Sequence, residues 1–414
     1  MPRLKTLSRK LIFAAYLFAS VIPSIAQNNA DLDLKSIPVS DWVNAGETTE
    51  IPWTLLVRDP YLRMDQRLEV GYLTRIRAKD LNRTGSAHEL FLVSRISSPD
   101  AEWLNAPSVV QQIIEKELPK NTEAQFRMRV CVQPGDYVLW LILYDRKTGK
   151  HNVAKRRIRV PEISKDPLPD VYARLPLVEF PKWSETEGDA AGYLSSELFL
   201  PVRNKHPLEV ELISTLSPPE QWAGRGRLVR SHNENTVGAL AALSQLELDM
   251  GSISIAGLDL LRHEVLFEQR DFRGVNWTAL MEALEKANSP RITAKALGDR
   301  KNNGAFFREF LSRRLGSGRA PDSGQGDRQA ERLRVFIIVT GSWLFERGSD
   351  LTPLQLEGDC RCRIYHLRFR LNNNDLFDEL AKVMKPLRPK TFNLLTPRDL
   401  RKAIAEILED LGNL

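Results

Sequence analysis

Three side chains in the C-terminal half have the types that a hydrolytic site needs: Ser217 and Ser342 as nucleophiles and His232 as a base. Such chemistry requires a serine Oγ within hydrogen-bond reach of an imidazole that a third group orients. No local motif reinforces it. The histidines at 88, 151, 206, 232, 263 and 366 include no pair at i,i+4 and no His-Glu-x-x-His. His232 and Asn233 read as the start of a loop on the carboxyl side of a sheet, the side where ligand crevices form. No Gly-x-Ser-x-Gly elbow, Walker motif or Gly-x-Gly-x-x-Gly occurs, and Gly316-Ser-Gly318 falls in a polar Gly-rich stretch. The three cysteines are Cys131, Cys360 and Cys362, so at least one thiol is free or pairs between chains. Cys360 and Cys362 are too close along an extended strand to bridge without strain. A zinc site requires more Cys or His at short spacing, and His366 is the one candidate nearby. Trp343 and Phe345 follow an apolar run and read as aromatic anchors for a partner, where Trp is enriched.

The elements that must position these residues fall into two groups. From Ile51 to Val160 the pattern is mainly period two: Phe126, Met128, Val130 and Val132 alternate with Gln125, Arg127, Arg129 and Cys131, one buried face and one wet face. Pro134-Gly135 and Asp145-Arg-Lys-Thr-Gly149 are turns around the apolar run Tyr137–Tyr144, which must be buried in the core of its own β-sandwich. A short helix is expected between residues 100 and 120. This spacing of short strands predicts a sandwich of immunoglobulin-like size over 46–165. Prolines 161, 167, 169, 176 and 181 break regular structure and predict a semi-rigid Pro-rich linker over 166–196.

From residue 197 to 414 strands alternate with helices. Leu198–Val202, Leu208–Thr215, Ser252–Leu260, Glu264–Glu268, Val335–Val339 and Arg363–Phe369 read as strands. Thr236–Leu248, Trp277–Ala287, the stripe Phe306 to Leu315, and Asp375–Met384 read as helices. The final helix is strongly signalled: Thr396 caps, Pro397 suits the first turn, Asp399 meets the dipole, and Leu400, Ile404, Ile407, Leu408 and Leu411 form one face. Alternating βα units imply a largely parallel, doubly wound sheet, hence an α/β fold behind an all-β sandwich. Residues 316–332 are polar and Gly-rich, a flexible insertion.

Composition sets the compartment. Residues 1–26 read as a signal peptide: Arg3, Lys5, Arg9 and Lys10, an apolar run from Leu11 to Val21, then Ser24-Ile25-Ala26. Residues 27–45 read as a polar leader. No later window is long and apolar enough to span a bilayer, so a secreted or periplasmic protein with no membrane span is expected after cleavage. The net charge of +6 falls to about +2 once the four basic signal residues leave, which gives no electrostatic case for nucleic acid.

The run Leu333-Arg-Val-Phe-Ile-Ile-Val-Thr-Gly-Ser342, with Gly274-Val-Asn-Trp-Thr-Ala-Leu-Met-Glu-Ala-Leu284 and Ile213-Ser-Thr-Leu-Ser-Pro-Pro-Glu220, resembles corners of a von Willebrand factor A (VWA) domain. With the sandwich and linker ahead of it, the chain resembles the VWFA-related secreted bacterial proteins over residues 50–414. In metal-binding members an Asp-x-Ser-x-Ser loop, a later Thr and a Thr-Asp-Gly hold a magnesium-type ion. Here Ser214, Thr215 and Ser217 supply hydroxyls without the aspartate, Thr278 matches the later Thr, and Thr340-Gly341-Ser342 lacks the second aspartate. Neutral hydroxyls do not offset the desolvation of a divalent ion. The resemblance implies a VWA-like scaffold with a degenerate metal site, no metal and no cofactor. It places a protein-binding rim at Ser214, Ser217, Thr278, Thr340, Ser342, Trp343 and Phe345. The expectation is an exported, non-enzymatic protein that contacts a protein partner of unidentified kind. The alternatives are a hydrolase built on Ser217, Ser342 and His232, or a rewired metal site.

Overall fold

The computed structural model describes residues 37–181, 196–222, 225–289, 294–316, 332–355, 362–370 and 377–414. The expected signal peptide, residues 183–195, most of the 316–332 insertion and Asp375 lie outside them. Among the described residues no helix is long and apolar enough to cross a membrane.

The N-terminal half is built of antiparallel sheets. Helix α1 (Val39–Ala45) leads into β1 (Thr48–Thr49), β2 (Thr54–Val57), β3 (Tyr61–Leu62) and β4 (Leu68–Arg77). After α2 (Ala78–Asn82) come β5 (His88–Ser97), β6 (Ser108–Ile114), β7 (Glu123–Val132), β8 (Gly135–Asp145), β9 (His151–Val160) and β10 (Val178–Glu179). One sheet runs β1-β9-β8-β5-β6; the other runs β10-β7-β4-β2, with β3 also on β4. Val70, Tyr72, Phe126 and Val130 from the second sheet share one core with Leu90, Leu92, Leu139 and Leu141 from the first.

Four expectations need correction here. The apolar run Tyr137–Tyr144 is buried on two sides: Leu139, Leu141 and Leu143 enter the shared core, whereas Ile142 joins Phe91, Val93, Val109 and Val153 on the outer face. Val39, Trp42 and Val43 of α1 cover that outer cluster, so the last part of the polar leader is a packed helix. Residues 108–114 form β6 rather than a helix, because Val109 serves the outer cluster and Val110 and Ile114 the inner one. The Pro-rich segment is no bare spacer. Val178 and Glu179 extend the second sheet against Val132 and Cys131, and Leu168, Val171 and Tyr172 are buried in the main core.

The C-terminal half carries a mixed, mostly parallel sheet with helices. Its elements are β11 (Leu200–Val202), β12 (Leu208–Thr215), α3 (Gly226–Leu243), β13 (Leu246–Leu248), β14 (Gly251–Asp259), β15 (Glu264–Gln269), α4 (Trp277–Asn288) and α5 (Ala294–Gly298). Then follow α6 (Asn303–Gly316), β16 (Leu333–Gly341), β17 (Cys362–Phe369), α7 (Leu380–Met384), β18 (Lys390–Leu394) and α8 (Pro397–Gly412). The six-stranded sheet is ordered β15-β14-β12-β16-β17-β18, and only β15 is antiparallel to its neighbour. β11 and β13 form a separate parallel pair. Helix α3 starts ten residues before the expected Thr236 and stops at Leu243, because its buried face includes His232 and Thr236, which an apolar stripe does not register. Leu246, expected in that helix, is in β13 instead. Strand β18 escapes the sequence reading because it is an edge strand with four of its five residues at least partly exposed.

Helix α8 begins with the expected cap. Asp399 N–H donates to Thr396 Oγ1 at 3.3 Å, and Thr396 N–H donates to Asp399 Oδ2 at 2.9 Å, a capping box. One turn on, Arg401 is fully buried and ties this helix to the Pro-rich segment. Its Nε and Nη2 meet the two oxygens of Asp166 at 2.6 Å each, and Nη2 also donates to the Leu168 carbonyl at 3.1 Å. The guanidinium lies 5.1 Å from the Tyr172 ring centre. Removing one partner of a buried pair strands the other charge. Arg401→Ala should therefore lower unfolding free energy by about 3 kcal/mol, whereas Arg401→Met with Asp166→Leu should lower it much less. Urea unfolding of the three proteins checks both outcomes.

Candidate functional site

The order of the parallel strands reverses between β12 and β16, and ligand crevices in open α/β sheets form at the carboxyl ends beside such a point. Ser214, Thr215 and Ser217 leave β12 there, and Thr340 to Ser342 leave β16. All five hydroxyl-bearing side chains are fully buried. Ser217 Oγ accepts from Leu260 N–H at 3.0 Å, and Ser342 Oγ donates to the Phe369 carbonyl at 3.3 Å. Thr340 Oγ1 bonds His366 Nε2 at 2.8 Å, while Ser214 Oγ and Thr215 Oγ1 have no hydrogen-bond partner. Thr278 differs: it is exposed on the first turn of α4, and no described hydrogen bond joins it to the others. That turn is capped by Asn276, whose Oδ1 accepts from Ala279 N–H at 3.1 Å.

The aromatic anchor must be corrected. Trp343 is fully buried in a cluster with Phe310, Leu354 and Leu380, stacked 5.6 Å from Phe345. Its backbone is also committed, with N–H to Asp378 Oδ1 at 3.2 Å and C=O to Glu379 N–H at 2.8 Å. Phe345 is half-buried, and its N–H donates to Glu379 Oε2 at 2.7 Å. Trp343 therefore holds the loop after β16 on α7 and offers no surface to a partner.

His232 is not in a loop. It lies inside α3 and points under the strand ends, its Nε2 on the Thr215 carbonyl at 3.2 Å and its ring edge-on to Trp222 at 6.0 Å. That contact assigns the proton to Nε2 and leaves Nδ1 a buried acceptor without a partner. Nδ1 faces Gly341. A Cβ added at Gly341 would lie 2.9 Å from Pro219 Cγ, 3.3 Å from its Cδ and 3.4 Å from His232 Nδ1. The space a side chain at 341 would occupy is filled. No hydrogen bond among the described residues joins Ser217, Ser342 and His232 to one another, so that trio does not form the nucleophile–base contact expected of it.

The fit to a divalent ion fails on the same residues. No group of three or more His, Cys, Asp or Glu side chains stands in metal-binding arrangement among the described residues. Two buried carboxylates lie nearby. Asp259 accepts from Leu261 N–H at 2.9 Å and pairs with Arg262 at 2.6 Å. Asp378 Oδ1 accepts from Trp343 N–H, and its Oδ2 lies 3.9 Å from both His366 Nε2 and Arg368 Nη1, a single carboxylate balanced by a cation. Neutral hydroxyls alone do not repay the dehydration of magnesium or calcium. Of the cysteines, Cys131 is a free, buried thiol and Cys362 is disulfide-bonded; Cys360 lies outside the described residues.

A larger opening lies between the two halves, where the sequence reading placed only a solvated strand face. Two adjoining cavities of about 540 and 770 Å³ share Tyr61, Glu69, Arg129, Glu234, Val237 and Met281 in their walls. The outer face of the sheet carrying β4 and β7 forms one wall, and α3 with α4 the other. Gly238 makes the close approach possible: a Cβ there would lie 2.5 Å from that of Met64. At the junction Glu69 accepts from Tyr61 Oη and Arg63 Nη1, both at 2.5 Å, and Arg63 also pairs with Asp65 at 2.9 Å. The alternation of Arg127 and Arg129 was the sequence signal for this wall. The helices opposite are about a hundred residues or more distant in sequence, so local pattern carried no sign of them.

No family model matches the chain, and no curated protein is similar to it. Among solved structures, a family 123 glycoside hydrolase from Clostridium perfringens is 9% identical over 83% of this chain and 72% of its own, with a TM-score of 0.28. The structural-genomics target SoR45 is 13% identical over 28% of this chain and 91% of its own, with a TM-score of 0.19. A beta-glucosidase from Listeria innocua is 9% identical over 28% of this chain and 17% of its own, at 0.17. These superpositions are too loose to carry any argument about fold or activity.

Burial holds His232 and His366 neutral. It pushes the pKa of His232 down to about 4, against the upward pull of its backbone contacts, and that of His366 to about 3, with Arg368 adding to the shift. Both native values lie below the unfolded value of about 6.5. The unfolded chain therefore binds more protons below pH 6.5, and the stability contribution present above that pH is lost as pH falls toward 4. Each histidine should cost about 1.4 kcal/mol per pH unit in that window. The difference in urea midpoint between pH 7 and pH 5 should shrink in His232→Gln; an unchanged difference would show that His232 is not buried neutral.

Proposed function

We propose that this chain is an exported, non-enzymatic protein whose C-terminal half is a VWA-like, doubly wound domain that mediates protein–protein contact without a bound metal ion. Numbered from β12 as its first strand, the sheet has the spatial order 3-2-1-4-5-6, the order of doubly wound α/β folds. Helices α3, α4, α6 and α8 connect or cover it. The antiparallel half ahead of it suits an immunoglobulin-like sandwich of the expected size. Export rests on the N-terminal sequence alone.

The observation that carries the metal-free reading is Gly341. The resemblance needs a carboxylate here, and instead Pro219 and His232 occupy the volume that its Cβ would require. The scaffold is thus closed over its own strand ends, and contact with a partner falls to surfaces outside them. Calorimetric titration of the full chain with magnesium, manganese and calcium should give no saturable heat. A micromolar site weakened by Ser217→Ala or Thr278→Ala would overturn the reading and restore a rewired metal site. Gly341→Asp alone should not create binding, and it should lower stability by about 1–3 kcal/mol through overpacking against Pro219.

A further inference from the structure

Three buried histidines lie among the described residues, and His88 differs from the other two. His232 and His366 each leave Nδ1 without a partner, whereas both ring nitrogens of His88 face oxygen. At the start of β5, its Nδ1 lies 2.8 Å from Asp145 Oδ2 and its Nε2 3.1 Å from the Gly85 carbonyl. The proton count follows from these partners. Asp145 Oδ1 accepts from the backbone N–H groups of Glu89 at 3.3 Å and Lys147 at 3.1 Å, and Oδ2 accepts from Thr148 Oγ1 at 2.8 Å. A carboxyl group that already takes three donors is an acceptor on both oxygens, so the proton between it and His88 sits on Nδ1. The Gly85 carbonyl has no proton to give, so Nε2 carries one too. A ring that donates from both nitrogens is the imidazolium.

The other charges around the ring are committed elsewhere or exposed. Glu89, next on β5, accepts from Gln111 Nε2 and Arg146 Nε at 2.9 Å each, and Asp80 of α2 pairs with Arg77 at 2.7 Å. On β6 the residue opposite His88 is Ile114, and on β9 His151 turns to Glu50 at 3.3 Å. Lys147 and Lys150 reach the pair through their backbones, and the Arg83 side chain is exposed. What the imidazolium holds is the segment between α2 and β5. Thr84 is tied back to the Leu81 carbonyl at 2.8 Å, but for residues 85–87 the bond to His88 is the only hydrogen bond among the described residues. A neutral ring that keeps its proton toward Asp145 turns the Nε2 lone pair on the Gly85 oxygen. Two buried acceptors in contact lose hydration with no bond in return, and the segment relieves this by moving into water.

We propose that His88 is a buried imidazolium that latches residues 83–87 to the sandwich and releases them as pH rises. The latch acts on the N-terminal half and is independent of the metal-free reading. Full-chain protein with 15N-labelled histidine tests the charge: at pH 7 the His88 ring should show two N–H groups, where neutral His232 and His366 show one each. A single N–H on His88 at that pH overturns the proposal. Trypsin tests the release through the exposed bond after Arg83. Relative to an unstructured arginine peptide in the same tube, cleavage there should speed up at least about threefold between pH 7 and pH 9. His88→Gln has no such proton to lose and should remove that dependence, with thermal unfolding to establish that the variant is folded. An unchanged wild-type rate across this range, or the same rise in folded His88→Gln, also overturns the latch. Should the variant not fold, the ring nitrogens and the wild-type cleavage still decide.

Discussion

The buried pair between Arg401 and Asp166 fixes how the two halves of the molecule meet. Helix α8 packs on the parallel sheet, so whatever Arg401 grips is held against that sheet. What it grips is the Pro-rich segment, through both oxygens of Asp166 and the Leu168 carbonyl. Bidentate geometry and the extra carbonyl are what let such a pair offset the desolvation of two charges. Burial by itself would raise the Asp166 carboxyl, yet its hydrogen bonds from Arg401 and Leu168 hold it below the ordinary carboxylate range. The contribution is therefore complete above the unfolded carboxylate pKa and disappears as pH falls through the lower native value.

Two further contacts share the load. Arg67 donates to Glu179 at 2.9 Å and to Ser196 Oγ at 2.6 Å, which joins β10 to the start of the C-terminal half. Gln66 Nε2 reaches the Pro397 carbonyl at 3.2 Å at the first turn of α8. These ties run from one short stretch, residues 63–67, to elements more than a hundred residues away. They set the separation of the arginine-bearing sheet from α3 and α4. The cleft is thus a consequence of the clamp rather than of either half alone.

The strand ends follow a different logic. In an open α/β sheet the switch point is a natural crevice, and here it has been filled with Pro219, the neutral ring of His232 and the indole of Trp343. The filling leaves several polar atoms buried without partners, among them Ser214 Oγ, Thr215 Oγ1 and His232 Nδ1. Each such atom has lost hydration without a replacement hydrogen bond, a cost that apolar packing around it must offset. Two neutral buried histidines in the same region add to the loss of stability in acid.

The sequence by itself determined whatever depends on neighbours a few residues apart. The capping box of α8, the alternation along β7, and most of the strands and helices after residue 197, though not β13 or β18, were legible in this way. Tertiary structure decided what depends on the element lying opposite. Periodicity reports a buried face only when that face is apolar, so α3, buried through His232 and Thr236, was read ten residues short and its histidine was placed in a loop. It cannot say which of two partners covers a doubly apolar strand, so the role of α1 over Ile142 was invisible. It gives an aromatic residue after a strand no depth, so the sequence predicts an exposed anchor at Trp343 where α7 covers the ring. And it records Arg127 and Arg129 as solvated, because the helices that turn that face into one side of a cleft are folded against it by contacts such as Gly238 on Met64, which no local pattern encodes.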